Sequence, residues 1–363
     1  MKNSLDTLLS NFFEAGRRVP ATGAPEELRK QLTTLAAELV HMDALEDAMA
    51  TMDAEDANVQ NALQDALEAA VEHPVLTTPD GRTYNARMFV LPVSQVVDEG
   101  AALQSLPCGE IVQQLLRDAL CPSGIGILLN RFVSLDFLDN LTLQDYVDMA
   151  AAAAARVGRG SADEADIFVD VGPEVSSGLH MLVFIALAPV KDADALLSLD
   201  GDELGLQTSN AMDSVHDIVN KGLADLGYVG PGMCLHLPQP LFYEPAVVDL
   251  AHECFLCACA ISGWGQMAVS EGSTLSLALE LSPGPECDEI VVSAIARDEV
   301  LGKFCFAVDH GDEEMREQIC LGVRDMAQPN SIAVSLKAPL TYGAPEAVDP
   351  RMLQLLNAPT RLQ

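Results

Sequence analysis

The stretch 241–266, LFYEPAVVDLAHECFLCACAISGWGQ, constrains this chain more than any other. Pro245 suits a first helical turn, where its missing N–H has no partner to lose. Glu244 and Asp249 favour the positive end of a helix dipole. From Cys254 to Ile261 the apolar residues run all the way round a helical projection, which marks a helix covered on every side. Gly263 is the expected stop, because glycine takes the left-handed conformation at no steric cost. The spacing predicts a buried core helix over 245–262, with Trp264 in the following Gly-Trp-Gly turn wedged against the core. A helix of about 17 residues, with Asp249, His252 and Glu253 in its first half, is too short and too polar to span a bilayer.

The same stretch holds the densest set of candidate metal ligands: His252, Cys254, Cys257 and Cys259. Residues seven apart share a helix face, so His252 and Cys259 lie together while Cys254 and Cys257 fall on roughly the opposite side. One helix cannot aim all four at a tetrahedral ion. The thiols read as small core residues, and no metal or cofactor is called for. Asp200, Asp202 and Glu203 have the composition of a calcium loop without its ligand spacing.

Charge is the second constraint. Twenty basic residues face 54 acidic ones, for a formal net charge of −34. Such a surface repels nucleic-acid phosphates and anionic lipid, which argues against direct nucleic-acid binding and against a membrane partner. It suits a protein partner with a basic surface. Between Lys30 and Arg82 there is no lysine or arginine, whereas nine carboxylates fall from Asp43 to Glu72. Asp43, Glu46, Asp47, Asp53, Glu55 and Asp56 are the candidate docking face; a solvated helical face accounts for the same residues without a partner. The cysteines number nine, an odd and scattered set, which fits a reduced cytoplasmic protein. The N-terminal MKNSLDTLLSNFFEAGRR lacks the uninterrupted apolar core of a signal peptide.

Apolar periodicity then orders the chain. Residues 1–73 predict three helices, around Leu5–Phe13, Leu28–Leu39 and Val59–Val71. Pro79-Asp80-Gly81 predicts a hairpin between Val75–Thr78 and Thr83–Pro92. A helix over 109–120, a strand at Ile125–Leu129 and a helix at Thr142–Ala155 follow, with a linker at 156–165. Paired strands are expected at Ile167–Val171 and Leu179–Pro189, then a helix at Ser209–Leu226 and a short strand at Cys234–Leu237. Beyond Gly265 the period becomes two, with Leu275, Leu277, Leu279 and Leu281 on one face, and a meander continues through Ile290–Ala296 and Lys303–Val308. A helix at Asp312–Met326 and a strand at Ser331–Leu336 close the pattern. The fold class is therefore α+β, with largely antiparallel sheets covered by helices and a helical N-terminal region. The units are 1–73, 74–160, 161–338 around the central helix, and an extended tail 339–363. The order of elements allows the two α+β units to be similar halves.

Asn58–Val93, NVQNALQDALEAAVEHPVLTTPDGRTYNARMFVLPV, with Gly232–Cys259 and the meander Thr274–Val308, resembles the DUF2863 family of uncharacterised proteobacterial proteins in its succession of elements. The resemblance implies no activity, cofactor or site residue.

No Walker loop, Gly-x-Ser-x-Gly elbow, His-Glu-x-x-His or zinc-ribbon spacing is present. The seven histidines are dispersed; a nucleophile such as Cys257 with His216 or His310 as its base is one pairing the fold could assemble, and no motif specifies it. Asp309-His310-Gly311-Asp312 at a strand end reads as a turn and helix cap. The leading expectation is a protein acting through protein–protein interaction, as a scaffold, accessory or inhibitor. The alternatives are an enzyme, of hydrolase type, with a site near Asp309–Asp312 or His252, and a nucleic-acid mimic. Homo-oligomerisation is left open.

Overall fold

The structure, a computed structural model, describes residues 2–20, 22–42, 44–52, 55–78, 81–96, 102–159, 178–189, 201–227, 232–243 and 245–341. Helices α1 (Lys2–Gly16), α2 (Glu26–His41), α3 (Leu45–Met52) and α4 (Ala57–Glu72) open the chain. Strands β1 (Val75–Thr77) and β2 (Thr83–Gln95) form the expected hairpin. Then come α5 (Gly109–Leu120), β3 (Ile125–Ser134), α6 (Leu135–Asp139), α7 (Leu143–Arg159), β4 (Gly178–Pro189) and α8 (Gly201–Asp225). The expected strand at 167–171 and the tail beyond 341 lie outside the described residues.

A six-stranded sheet is built on β2. Its twelve-residue antiparallel register with β4 runs from Tyr84↔Pro189 to Gln95↔Gly178. β4 follows residue 160 in sequence and lies between β2 and β3 in space. The other edge of β2 is shared by β1, β5 (Met233–Leu235) and β6 (Gln239–Pro240). The run MFVLPV in β2 has no polar face because both faces of the sheet are covered. Met88 and Val90 join the core under α1–α4 and α7. Phe89, Leu91 and Val93 join a second core with α5 and α8. The fold is α+β, with a helical N-terminal region as expected.

The central helix α9 (Pro245–Ser270) ties this sheet to a second one. The second sheet holds the meander β7 (Ser276–Pro283), β8 (Asp288–Ala296) and β9 (Glu299–Val308). Helix α10 (Glu313–Ala327) then returns the chain so that β10 (Ala333–Leu336) pairs β7 in parallel. Leu277 and Leu279 are buried, as their alternation requires.

Four expectations for α9 need correction. It is 26 residues long and runs through Gly263 and Gly265. The stop is Gly272, at φ +65°, where the Ser273 amide donates to the Ala268 carbonyl. The physical reason is Trp264. Its indole lies against Gly302 of β9 and holds the helix in register past the glycines, so the wedge is real but sits inside the helix. Length therefore does not exclude a bilayer, and by length and composition α9 is able to cross one. Its burial inside the protein is what marks it as a core helix: Val248, Leu250, Cys254, Phe255, Cys257 and Ile261 are all buried. Nor is it covered on every side, since Leu256 and Ala260 are half-buried and Gly263 and Met267 exposed.

A Cβ on Gly302 would stand 2.3 Å from the Trp264 indole nitrogen. Gly302→Val is expected to cost about 1–3 kcal/mol through overpacking, because an indole on a helix has no room to retreat. Urea denaturation checks this. A midpoint equal to that of Lys303→Val, on the exposed neighbour, would show that the indole yields.

Candidate functional site

Three segments far apart in sequence enclose a groove of about 640 Å³ on the N-terminal side of the first sheet. α3 and α4 form one wall, the α6–α7 corner the second, and the chain leading from β6 into α9 the third. The floor is apolar, with Leu45, Leu138 and Leu241 buried and Met49 half-buried. Tyr146, Phe242 and Tyr243 line it as a group. Tyr146 and Phe242 meet edge to face, with ring centroids 5.8 Å apart at 74°. The Tyr146 hydroxyl donates to the Leu138 carbonyl at 2.9 Å, which fixes that ring. Glu46, Glu68 and Asp139 supply the charge, and among the described residues no lysine, arginine or histidine lines the groove. Gln64 donates to one oxygen of Glu68 at 2.6 Å.

The electrostatics of this place are visible on its phenols. Burial pushes the Tyr146 hydroxyl up to about 12, with Asp139 and Asp145 acting in the same direction. Burial raises Tyr243 further, helped by Asp139, Asp249 and Tyr146. Behind the third wall lies a buried ion pair. Arg87 of β2 reaches Glu72 of α4 at 3.4 Å, and its guanidinium stands 4.9 Å over the Phe89 ring. The same Glu72 carboxylate accepts from the Leu241 backbone amide, so the pair anchors the segment that presents Phe242 and Tyr243.

Of the acidic residues expected to form a docking face, Glu46 lines the groove. Asp47 is exposed on the same first turn of α3. Glu55 is paired with Arg17 and thereby ties the α3–α4 connection to the end of α1. Asp56 is the N-cap of α4, accepting from the Val59 amide. Asp43 and Asp53 lie outside the described residues. Glu68, Asp139 and the three aromatic residues were not expected. The available signal was the adjacent Phe242-Tyr243 pair just before the core helix, in a chain with only five tyrosines.

The metal candidates separate. Among the described residues no three of His, Cys, Asp and Glu gather as a metal site. His252 instead points its Nδ1 at the Ser94 hydroxyl, 2.8 Å away, and His236 Nε2 reaches the same oxygen at 2.7 Å. Cys254 and Cys257 are buried, with thiols raised well above their ordinary value by burial, and Cys259 is half-buried and raised to about 11. Cys257 is thus no nucleophile for His216, whose Nε2 donates to the Leu235 carbonyl at 2.6 Å. A serine between two imidazoles has the residue types of a hydrolase, but Ser94 is completely buried and closed to a substrate.

Asp312 caps α10 by accepting from the Met315 amide at 2.9 Å, and Gly311 adopts φ +82° before it. His310 joins Arg316 on the buried Asp288, at 3.0 and 2.5 Å. The Asp309–Asp312 stretch is thereby a turn and cap, tied to β8 by the His310–Asp288 contact. Asp202 and Glu203 fall in the first turn of α8 rather than in a loop; Asp200 lies outside the described residues.

Fold and site together define an α+β protein with an aromatic, acid-rimmed groove between its N-terminal helices and the approach to its central helix. No family model, curated protein or solved structure matches the chain.

Proposed function

We propose that the protein is a binding module that docks a segment of a basic partner protein in this groove. One observation carries the reading. Among the described residues, the groove pairs an apolar floor with three carboxylates and no basic residue. Three carboxylates that are mostly withdrawn from solvent do have internal counter-charges, Glu55 in Arg17, Glu72 in Arg87 and Asp288 in Arg316. Among the described residues no ion pair involves Glu46, Glu68 or Asp139. An apolar floor gives affinity and unpaired rim charge gives attraction and orientation, the usual division of labour at such surfaces. A volume of about 640 Å³ suits a few partner residues rather than a whole domain face.

The test compares three forms of the chain: wild type, Glu46→Gln/Glu68→Gln/Asp139→Asn, and Asp213→Asn/Asp217→Asn/Glu313→Gln as an equal charge change on exposed sites of α8 and α10. Proteins captured from the native host at low salt are eluted with high salt, and the one retained by wild type is titrated against all three. The groove variant is expected to bind it at least tenfold more weakly, with a shallower salt dependence, while the α8/α10 variant stays near wild type. Equal weakening by both variants would reduce the effect to net charge and sink the groove reading.

A further inference from the structure

We propose that the groove is a cation cage: it seats one guanidinium or ammonium side chain of the docked segment against Tyr146, Phe242 and Tyr243, neutralised by Glu68 and Asp139, with flanking apolar residues on the leucine floor. This rests on the docking reading of the same groove and adds what that reading leaves open, namely which side chain is recognised and by what.

Two independent features point to the cation. The first is aromatic. Three of the groove's lining residues are rings, and the edge-to-face contact of Tyr146 with Phe242 leaves ring faces at an angle rather than stacked on each other. A cation placed over a ring face within about 6 Å of its centroid is attracted by the quadrupole, more strongly where water is excluded. Rings held in this way are preorganised: Tyr146 is fixed by Leu138, and Phe242 and Tyr243 follow Leu241, whose amide is anchored on Glu72.

The second feature is the unpaired charge. Glu68 is held in place by Gln64, a neutral partner that orients the carboxylate without cancelling it. Asp139 is exposed at the end of α6, close enough to Tyr243 to disfavour its ionisation. A purely apolar occupant would leave both carboxylates partly desolvated and without a counter-charge, which costs free energy. An occupant with a basic side chain relieves that, and its alkyl stem packs on the leucine floor while its head reaches the rim.

The probes are two capped peptides, acetyl-Ala-Leu-Arg-Leu-Ala-amide and its citrulline counterpart, which keeps the planar shape and length but loses the charge and exchanges one donor group for a carbonyl acceptor. Binding to the intact chain is read from amide shift changes at Leu45, Tyr146 and Phe242. The arginine peptide is expected to bind at least tenfold more tightly than the citrulline peptide. Glu68→Gln/Asp139→Asn should bring the arginine peptide down to the citrulline level. Tyr243→Phe should preserve binding, because the ring face remains, and Tyr243→Leu should weaken it severalfold. Equal affinity of the two peptides for wild type would overturn the cage while leaving the docking reading intact. Failure of both peptides to perturb groove residues would overturn both. The peptide comparison on wild type needs no variant, so an unfolded substitution does not protect the proposal.

Discussion

Lowering the pH from 7 to 5 is expected to destabilise the protein by about 2 kcal/mol through His236 alone. Its imidazole is pushed down to about 3, by burial first and then by the neighbouring His252 and His216. The sign follows from which form the fold prefers. The native state binds only the neutral ring, so this contribution is fully present above the unfolded value near 6.5. It is lost as the pH falls from there toward about 3.

The geometry gives the same answer. Among the described residues His236 Nδ1 has no partner, and a bare lone pair is cheaper to bury than an unpaired N–H, so the proton belongs on Nε2. His236 then donates to Ser94, and Ser94 donates to His252 Nδ1. Strand β2, the connection after β5 and helix α9 are fastened by this relay, and a second proton on His236 would point into the core. Burial moves His216 and His252 in the same direction, although Asp213, Asp217 and Asp249 favour their charged forms. One effect opposes all three: protonating surface carboxylates relieves self-repulsion in a chain of net charge −34. His236→Asn separates the two. Urea denaturation at pH 7 and pH 5 should show a pH loss smaller by about 2 kcal/mol in the variant than in wild type. Equal losses would mean the relay is not the acid-labile element.

The relay was not legible in the sequence, and the reason is distance along the chain. Ser94 meets His236 and His252 across 142 and 158 residues, and no local pattern encodes such a meeting. The groove shares the problem. Its walls come from 45–68, 138–146 and 241–245, and the local signals, acidic richness in the first and the Phe242-Tyr243 pair in the last, do not say that these segments meet.

Elements whose own periodicity decides them were readable. α5 spans Gly109–Leu120 as its stripe of Val112, Leu116 and Leu120 demands. The alternation at Leu277 and Leu279 gave β7 its inward face. α3 and α6, at eight and five residues, are too short to show a period of their own. Gly263 misled because glycine is a weak stop: it ends a helix only where nothing beyond it packs, and here Trp264 does.

Arg87→Met is expected to cost about 3 kcal/mol at pH 7, since it strands a buried carboxylate. The side chains of Arg87 and Glu72 are only 4% and 15% exposed. Burial already raises Glu72 above its ordinary value even though Arg87 pulls it down, so removing the guanidinium drives it higher still. A carboxylate raised in the folded state contributes least at high pH, where it must ionise, and most below its unfolded value near 4.5. The deficit of Arg87→Met should therefore shrink as the pH approaches 4.5, opposite in sign to the His236 effect. Glu72→Gln/Arg87→Met should recover much of the loss at pH 7, because a neutral amide needs no counter-charge. It should not restore the groove fully, since an amide accepts more weakly from the Leu241 backbone than a carboxylate does. Amide shifts at Phe242 and Tyr243 read that remainder. If Arg87→Met were as stable as wild type and those shifts stayed put, the ion pair would be ornamental, and the third wall of the groove would owe its position to packing alone.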